Sequence, residues 1–137
     1  MSRLPIVGGD DSNWGAVLNA HLTTEHSADG THSVPLTGQL TFKATIVTTG
    51  ASYSINATTD QIIVVKKGTG SATTLNLPGS PVAGMVYYIK DGKGDAATNN
   101  ITVLPAAGTI EGSSELIINA NYAAVTLVYN GSEWNII

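Results

Sequence analysis

The feature that most constrains the fold is a succession of short apolar runs, each bounded by turn residues. In residues 39–47 apolar and mostly polar residues alternate, which is the period of a half-buried strand. Ile62–Val65 is apolar at every position, as expected of a central strand. Further runs lie at 53–55, 73–77, 85–90, 101–104 and 116–119. Eight or nine such strands predict a mainly β domain, either an antiparallel β-sandwich or a jelly-roll-like fold.

The last two runs, 125–129 and 134–137, flank Asn130 and Gly131. Asn-Gly is the strongest short-range signal for a β-hairpin, because both residues tolerate the positive φ angles of a tight turn. We therefore expect the chain to close with an antiparallel hairpin.

The N-terminal region follows a different period. Residues 1–10 predict an extended arm, and Asp11 or Ser12 can cap a helix over residues 13–25. This predicts two parts, an arm and amphipathic helix in residues 1–35 and a β domain in residues 36–137. The apolar face of the helix must pack either on the β domain or on the same helix of neighbouring subunits. Its members, spaced at three and four residues, are Trp14, Val17, Leu18 and Leu22.

Charge is scarce, at 12% of residues, with a net charge of −4. So few cations argue against nucleic-acid binding, which requires a basic surface. They also leave few lysines to protect exposed sheet edges from pairing with other chains. We therefore expect a homo-oligomer of cyclic symmetry, with the oligomer seam at Trp14, Val17, Leu18 and Leu22.

Several classes of chemistry are not supported by the sequence. There is no cysteine, no G-x-S-x-G and no H-E-x-x-H motif, so we expect neither an enzyme nor a resident metal or cofactor. Residues 92–97 match a dinucleotide pattern but lead into another predicted strand, which favours a simple loop. The sequence contains three histidines, His21, His26 and His32. A metal could be bound only if copies of one of them from several subunits meet at a symmetry axis. No apolar run approaches the length that spans a bilayer, so we expect synthesis in the cytoplasm without membrane insertion.

Exposed aromatic rings are a usual means by which a weakly charged surface binds carbohydrate. Tyr88 shares a strand with Tyr87, so the two side chains face opposite sides and one of them can be exposed. Tyr129 and Trp134 flank the final turn and can approach each other. Tyr88, Tyr129 and Trp134 are thus candidate glycan contacts, although packing in the core is the favoured interpretation of Tyr129 and Trp134.

Two stretches resemble bacteriophage tail-fibre and related virion appendage proteins. The first contains GDDSNWG at 9–15 and EHSADGTH at 25–32. The second, from about residue 59 to 137, is similar to a β domain at the ends of such fibres. It contains YIKD at 88–91, NNITV at 99–103, GTIEG at 108–112 and VTLVYNG at 125–131.

The resemblance implies a homotrimer located in the virion. Its N-terminal region would attach to other virion proteins, and its β domain would contact a host-surface glycan or protein receptor. Two alternatives stay open, a capsid or collar decoration protein without receptor binding and a stand-alone carbohydrate-binding module. Many relatives carry a long shaft that this chain lacks, so placement on the tail, head, collar or baseplate is equally open.

Replacing Leu18 and Leu22 together by serine should lower the oligomeric state or the melting temperature, because each buried leucine contributes roughly 1.5–3 kcal/mol. Light scattering and thermal unfolding measure the two effects. An unchanged trimer would show that the seam lies elsewhere.

Overall fold

A computed structural model describes residues 41–137, and in this part of the chain it contains β-strands and no helix. The predicted arm and helix and the boundary between residues 35 and 36 lie outside the described residues. The strands are β1 (Ala44–Val47), β2 (Ser52–Ser54), β3 (Ile62–Val65), β4 (Thr73–Asn76), β5 (Val86–Asp91), β6 (Ile101–Leu104), β7 (Leu116–Ile118), β8 (Ala124–Tyr129) and β9 (Trp134–Ile136).

The first six strands alternate between two sheets. One sheet has the order β1-β3-β5-β8-β9, and the other has the order β2-β4-β6-β7. Pairing is parallel from β1 through β3 to β5, and again from β2 through β4 to β6. The chain therefore winds as a two-sheet coil, in which each turn of the coil stacks on the preceding one.

The expectation of a purely antiparallel sandwich or jelly roll was wrong, although the domain is mainly β as predicted. Parallel neighbours require a long crossover connection, usually a helix. Here the strand in the opposite sheet serves as the crossover, so β2 connects β1 to β3 without a helix. Both sheets are mixed, since β7, β8 and β9 pair in the antiparallel sense.

These last three strands end the parallel stacking. Strand β7 pairs with β6, β8 pairs with β5, and β9 pairs with β8 through a hairpin. The hairpin turn contains Asn130 and Gly131, and Gly131 has φ of 104°. The predicted closing hairpin is confirmed. We refer to β7, β8 and β9 as the antiparallel cap.

The core lies between the two sheets and follows strict alternation along each strand. Ile63 and Val65 of β3 point inward, as do Leu75 of β4 and Val103 of β6, and each of the four is at least 94% buried. Burial of a large aliphatic side chain contributes roughly 1.5–3 kcal/mol, which makes this layer the main source of stability. At the cap the core becomes aromatic, with the Tyr87 and Tyr129 rings 5.6 Å and 5.2 Å from that of Trp134.

The connections fall at two ends of the strands. Residues 48–51, 66–72, 92–100 and 119–123 all lie where β1, β3, β5 and β7 finish, and we call this the turn-stack end. The remaining connections, 55–61, 77–85, 105–115 and 130–133, lie at the opposite end. Neighbouring connections lie against each other, so their backbone polar groups need partners within the stack.

Buried Asp91 supplies such partners at the turn-stack end. Its Oδ1 accepts hydrogen bonds from the N–H groups of Lys93 and Gly94, at 3.1 and 2.8 Å. Its Oδ2 accepts from those of Ala96 and Tyr122, at 3.1 and 3.0 Å. One carboxylate therefore orders the connection at 92–100 and joins it to the next connection in the stack.

Asp60 has the corresponding role at the opposite end. Its carboxylate accepts hydrogen bonds from the Thr45 hydroxyl, the Tyr53 hydroxyl and the Asn56 N–H, at 2.7 to 2.9 Å. The strands of the first coil are thereby tied to the loop that begins the second. Burial by itself raises the pKa of Asp60, but these hydrogen bonds outweigh it and hold the pKa below the ordinary aspartate value.

The pKa of Asp91 is lowered for the same reason, since its four backbone donors outweigh the effect of burial. A carboxyl whose pKa is lower in the folded state stabilises the fold fully above its unfolded pKa. That stabilisation is lost as the pH falls through the folded value. The free energy of unfolding should therefore begin to fall as the pH decreases below the ordinary aspartate pKa of about 3.9.

We predict that Asp91→Ala lowers the free energy of unfolding by about 3 kcal/mol at neutral pH, because four backbone N–H groups lose a buried, charged acceptor. Asp91→Asn should be milder at neutral pH and should flatten the acid-induced loss of stability below about pH 4. Denaturant unfolding at several pH values measures both effects. Glu115→Ala, at an exposed carboxylate, is the control; an equal loss in that variant would contradict the assigned role of Asp91.

Candidate functional site

The outer face of the five-stranded sheet is unusually apolar. Strand register and burial place Ile46, Val64 and Lys90 in one row across β1, β3 and β5. Exposed fractions remain high, at 57% for Ile46 and 41% for Tyr88. The side chains of this face are Ala44, Ile46, Ile62, Val64, Val86, Tyr88, Lys90, Ala124, Thr126, Val128 and Asn135. Lys90 is the one charged member of this set.

The outer face of the four-stranded sheet has the opposite character. Hydroxyl and amide side chains predominate there, and only two positions carry a large apolar residue. The side chains of this face are Ser52, Ser54, Thr74, Asn76, Thr102, Leu104 and Ile117. The two sheets share one core but differ in the polarity of their outer faces.

A second feature lies at the turn-stack end, around Lys67, which is 95% buried. Its Nζ donates hydrogen bonds to Gly50 O at 2.7 Å, to Ser71 Oγ at 2.8 Å and to Ala72 O at 2.9 Å. Within residues 41–137 it has no carboxylate partner. Its positive charge is therefore balanced only by backbone and hydroxyl dipoles, and it joins the first two connections of the stack.

A cavity of about 440 Å³ opens beside this lysine. The hydroxyl-bearing side chains along it are those of Thr48, Thr49, Thr69 and Ser71, and two glycines supply the remainder apart from Lys67. Carboxylates and imidazoles are absent from this lining. The cavity thus offers hydroxyl groups beside a buried cation whose three donors are already used, which suits a polyhydroxylated ligand better than it suits acid–base catalysis.

Tyr122 is the third feature, and it lies in the last connection of the stack. Its φ of 59° is in the left-handed region, which is unfavourable for a bulky side chain. The residue is nevertheless 65% exposed. Gly94 packs against its ring so closely that a Cβ there would overlap it. Lys90 Nζ lies 5.7 Å from the ring centroid and donates to Tyr122 O.

Nothing in the sequence pattern singled out Tyr122. Its position depends on a positive φ and on the absence of a side chain at Gly94, neither of which changes hydrophobic periodicity. Strained backbone that presents an exposed aromatic ring is a recurrent property of binding sites. We therefore add Tyr122 to the candidate residues.

The predicted aromatic contacts separate into two groups. Tyr88 lies exposed on the outer face of the five-stranded sheet, and a ligand role for it stays a prediction. Trp134 is completely buried and Tyr129 is 91% buried, so the core interpretation describes both. Trp134 Nε1 has no hydrogen-bond partner among the described residues. The predicted seam of Trp14, Val17, Leu18 and Leu22 lies outside the described residues, as do His21, His26 and His32.

The loop at 92–97 is organised by Asp91 and leads into β6 rather than into a helix. A phosphate-binding helix N-terminus is therefore missing at this motif, as expected for a simple loop. Residues 41–137 bring together no group of three or more histidine, aspartate or glutamate side chains that could hold a metal ion. Over the same residues, no helix long and apolar enough to cross a bilayer is found.

Comparison with protein-family models and with curated proteins returns no match for this chain. The outer sheet faces, the Lys67 cavity and the Tyr122 region are the features of the described residues that indicate a function.

We predict that Lys67→Met lowers the free energy of unfolding by about 2 kcal/mol, because the carbonyls of Gly50 and Ala72 and the Ser71 hydroxyl lose their charged donor. The matched control is Lys66→Met, at the exposed neighbouring position, which should change stability by no more than about 0.5 kcal/mol. Chemical denaturation measures the difference between the variants. Equal effects would show that Lys67 does not join the connections.

Proposed function

We propose that this chain is a non-enzymatic, self-associating structural protein of a bacteriophage particle. In this proposal it forms a short trimeric fibre or a tail or head appendage that attaches to a host-surface glycan or receptor. The observation that carries the self-association is the apolar outer face of the five-stranded sheet. The phage assignment is supported by the resemblance of residues 9–32 and 59–137 to appendage proteins.

Parallel sheets occur almost entirely where both faces are covered, and their strands then consist of continuous apolar residues. Ile62–Val65 of β3 has this composition, and its partners β1 and β5 present Ile46 and Tyr88 outward. The four-stranded sheet is also largely parallel, yet its outer face is hydroxylated and compatible with water. In this proposal another surface therefore covers the outer face of the five-stranded sheet, and the outer face of the four-stranded sheet stays in contact with water.

A second copy of the chain is the occupant that we propose for this face. Strands about 4.8 Å apart and residues about 3.3 Å long give it a flat area of roughly 300 Å². The largest apolar patch on a typical monomer has about this area and is often functional. A stable interface buries about 800 Å² per partner, so the face contributes to a larger contact rather than forming it alone.

Three such sheets facing one axis would form a triangular core with the polar sheets outside. The predicted helical seam at Trp14, Val17, Leu18 and Leu22 would add the remaining contact area in the same assembly. In this arrangement the N-terminal region remains the proposed attachment to other virion proteins.

We predict that Ile46→Glu weakens self-association by roughly tenfold or more, because a carboxylate would be buried in an apolar contact. Ile117→Glu is the matched control, since Ile117 is 45% exposed in the edge strand of the other sheet. Sedimentation velocity over a range of concentrations measures the dissociation constant. A monomeric wild-type protein, or equal effects of the two substitutions, would contradict the proposed interface.

The virion assignment has a separate test. Particles purified from cells that express the gene should contain the chain in fixed stoichiometry by mass spectrometry, and purified protein should compete with particles for host cells. Binding to particles without competition would favour the decoration-protein alternative. Absence from particles together with glycan binding would favour a stand-alone carbohydrate-binding module.

A further inference from the structure

Charge in the described domain is segregated along the strand direction. The turn-stack end carries Lys66, Lys67, Lys90 and Lys93, together with Asp91 and Asp95. The opposite end carries Asp60, Glu111, Glu115 and Glu133, together with Lys43. Strands of four to six residues separate the two ends by about 13–20 Å, which exceeds the Debye length of about 8 Å at physiological ionic strength. A ligand at one end therefore experiences mainly the electrostatic potential of that end.

Of the two aspartates at the turn-stack end, Asp95 alone neutralises a surface lysine. Asp91 is 99% buried and accepts four backbone hydrogen bonds. Asp95 lies 3.2 Å from Lys93 Nζ and balances that one charge. Lys66 is exposed, and the buried charge of Lys67 lies beside the cavity. The exterior of this end is consequently positive.

The chemistry around these lysines is suited to sugars. Hydroxyls of Thr48, Thr49 and Thr69 border the cavity and can exchange hydrogen bonds with ligand hydroxyls. The exposed ring of Tyr122 can pack against the C–H face of a pyranose, as aromatic side chains do with flat apolar surfaces. The connections before β2 and β8 are three strand spacings apart, about 14 Å, which suits an extended oligosaccharide better than one sugar.

We propose that the turn-stack end binds an acidic saccharide, with a carboxylate near the exposed Lys66, sugar hydroxyls in the cavity beside Lys67 and one sugar ring on Tyr122. This inference rests on the proposed attachment function and gives it a site and a ligand class. The site centres on the connections of the turn-stack end and adjoins the apolar sheet face at Lys90, whose Nζ lies 5.7 Å from the centroid of the Tyr122 ring.

A saccharide fits better than other polyanions. Within residues 41–137 the basic side chains are lysines, whereas bidentate recognition of phosphate typically uses arginine. The net charge of −4 opposes a long, densely charged nucleic acid. An acidic peptide would satisfy the lysines but would not require the hydroxyl-bordered cavity.

The test is isothermal titration calorimetry of the full chain with hexagalacturonate at low ionic strength. Maltohexaose serves as the neutral saccharide of equal length and hexaglutamate as the peptide of equal charge, while inorganic phosphate tests for a simple anion site. We expect binding of hexagalacturonate alone, weakened by added sodium chloride because the lysine contribution is screened. Equal binding of hexaglutamate or of phosphate would overturn the saccharide assignment.

Variants locate the site. Lys66→Gln should weaken hexagalacturonate binding roughly fivefold to tenfold, whereas Lys43→Gln, an exposed lysine at the opposite end, should leave it nearly unchanged. Tyr122→Asn should abolish most of the binding without lowering the melting temperature, because asparagine tolerates the left-handed backbone better than tyrosine. Unchanged binding in Lys66→Gln and Tyr122→Asn would overturn the proposed site.

The experiments distinguish failure of the saccharide-binding inference from failure of the proposed virion function. A trimeric, particle-associated protein that does not bind hexagalacturonate would refute this inference alone. A protein that binds hexagalacturonate with the predicted variant pattern but is absent from particles would refute the virion assignment and leave the site standing.

Discussion

Stacked connections are the constraint on which this domain depends. Parallel strands bring successive turns of the coil to within one strand spacing, about 4.8 Å, so backbone groups that would face water in a hairpin protein meet other turns. Lys67 supplies three donors to neighbouring carbonyl and hydroxyl oxygens, and Asp91 accepts from four N–H groups. The chain has few charged side chains, and two of them, Lys67 and Asp91, bind neighbouring connections to each other.

The same scarcity of charge is seen on both outer faces, which differ in their uncharged side chains. Serine, threonine and asparagine, rather than ionic side chains, make the outer face of the four-stranded sheet hydrophilic. On the five-stranded sheet even these are few, and isoleucine, valine and tyrosine take their places. A domain of this composition separates its surfaces by polarity: an apolar sheet face, a hydroxylated sheet face and two ends of opposite charge.

The positions of the strands were largely predictable from the sequence, but their pairing was not. Alternation along Thr73–Asn76 or Ile101–Leu104 is identical in parallel and antiparallel sheets, because side-chain period does not depend on strand direction. A coil would be recognised by a fixed repeat. Here the connections at the turn-stack end lengthen from 48–51 to 66–72 to 92–100, so no repeat is visible. Exposure of Tyr88 was foreseeable, whereas Tyr122 depends on backbone geometry and on close packing with Gly94.

The antiparallel cap makes the domain directional. Beyond β5 and β6 the hydrogen-bonding pattern changes, and β7 and β9 become the last strands of their sheets. Within residues 41–137, β1 and β2 are the first strands of their sheets. A further coil inserted ahead of β3 would continue the parallel pairing of both sheets and leave the hydrogen bonds of the antiparallel cap unchanged, so the same plan can be built in different lengths.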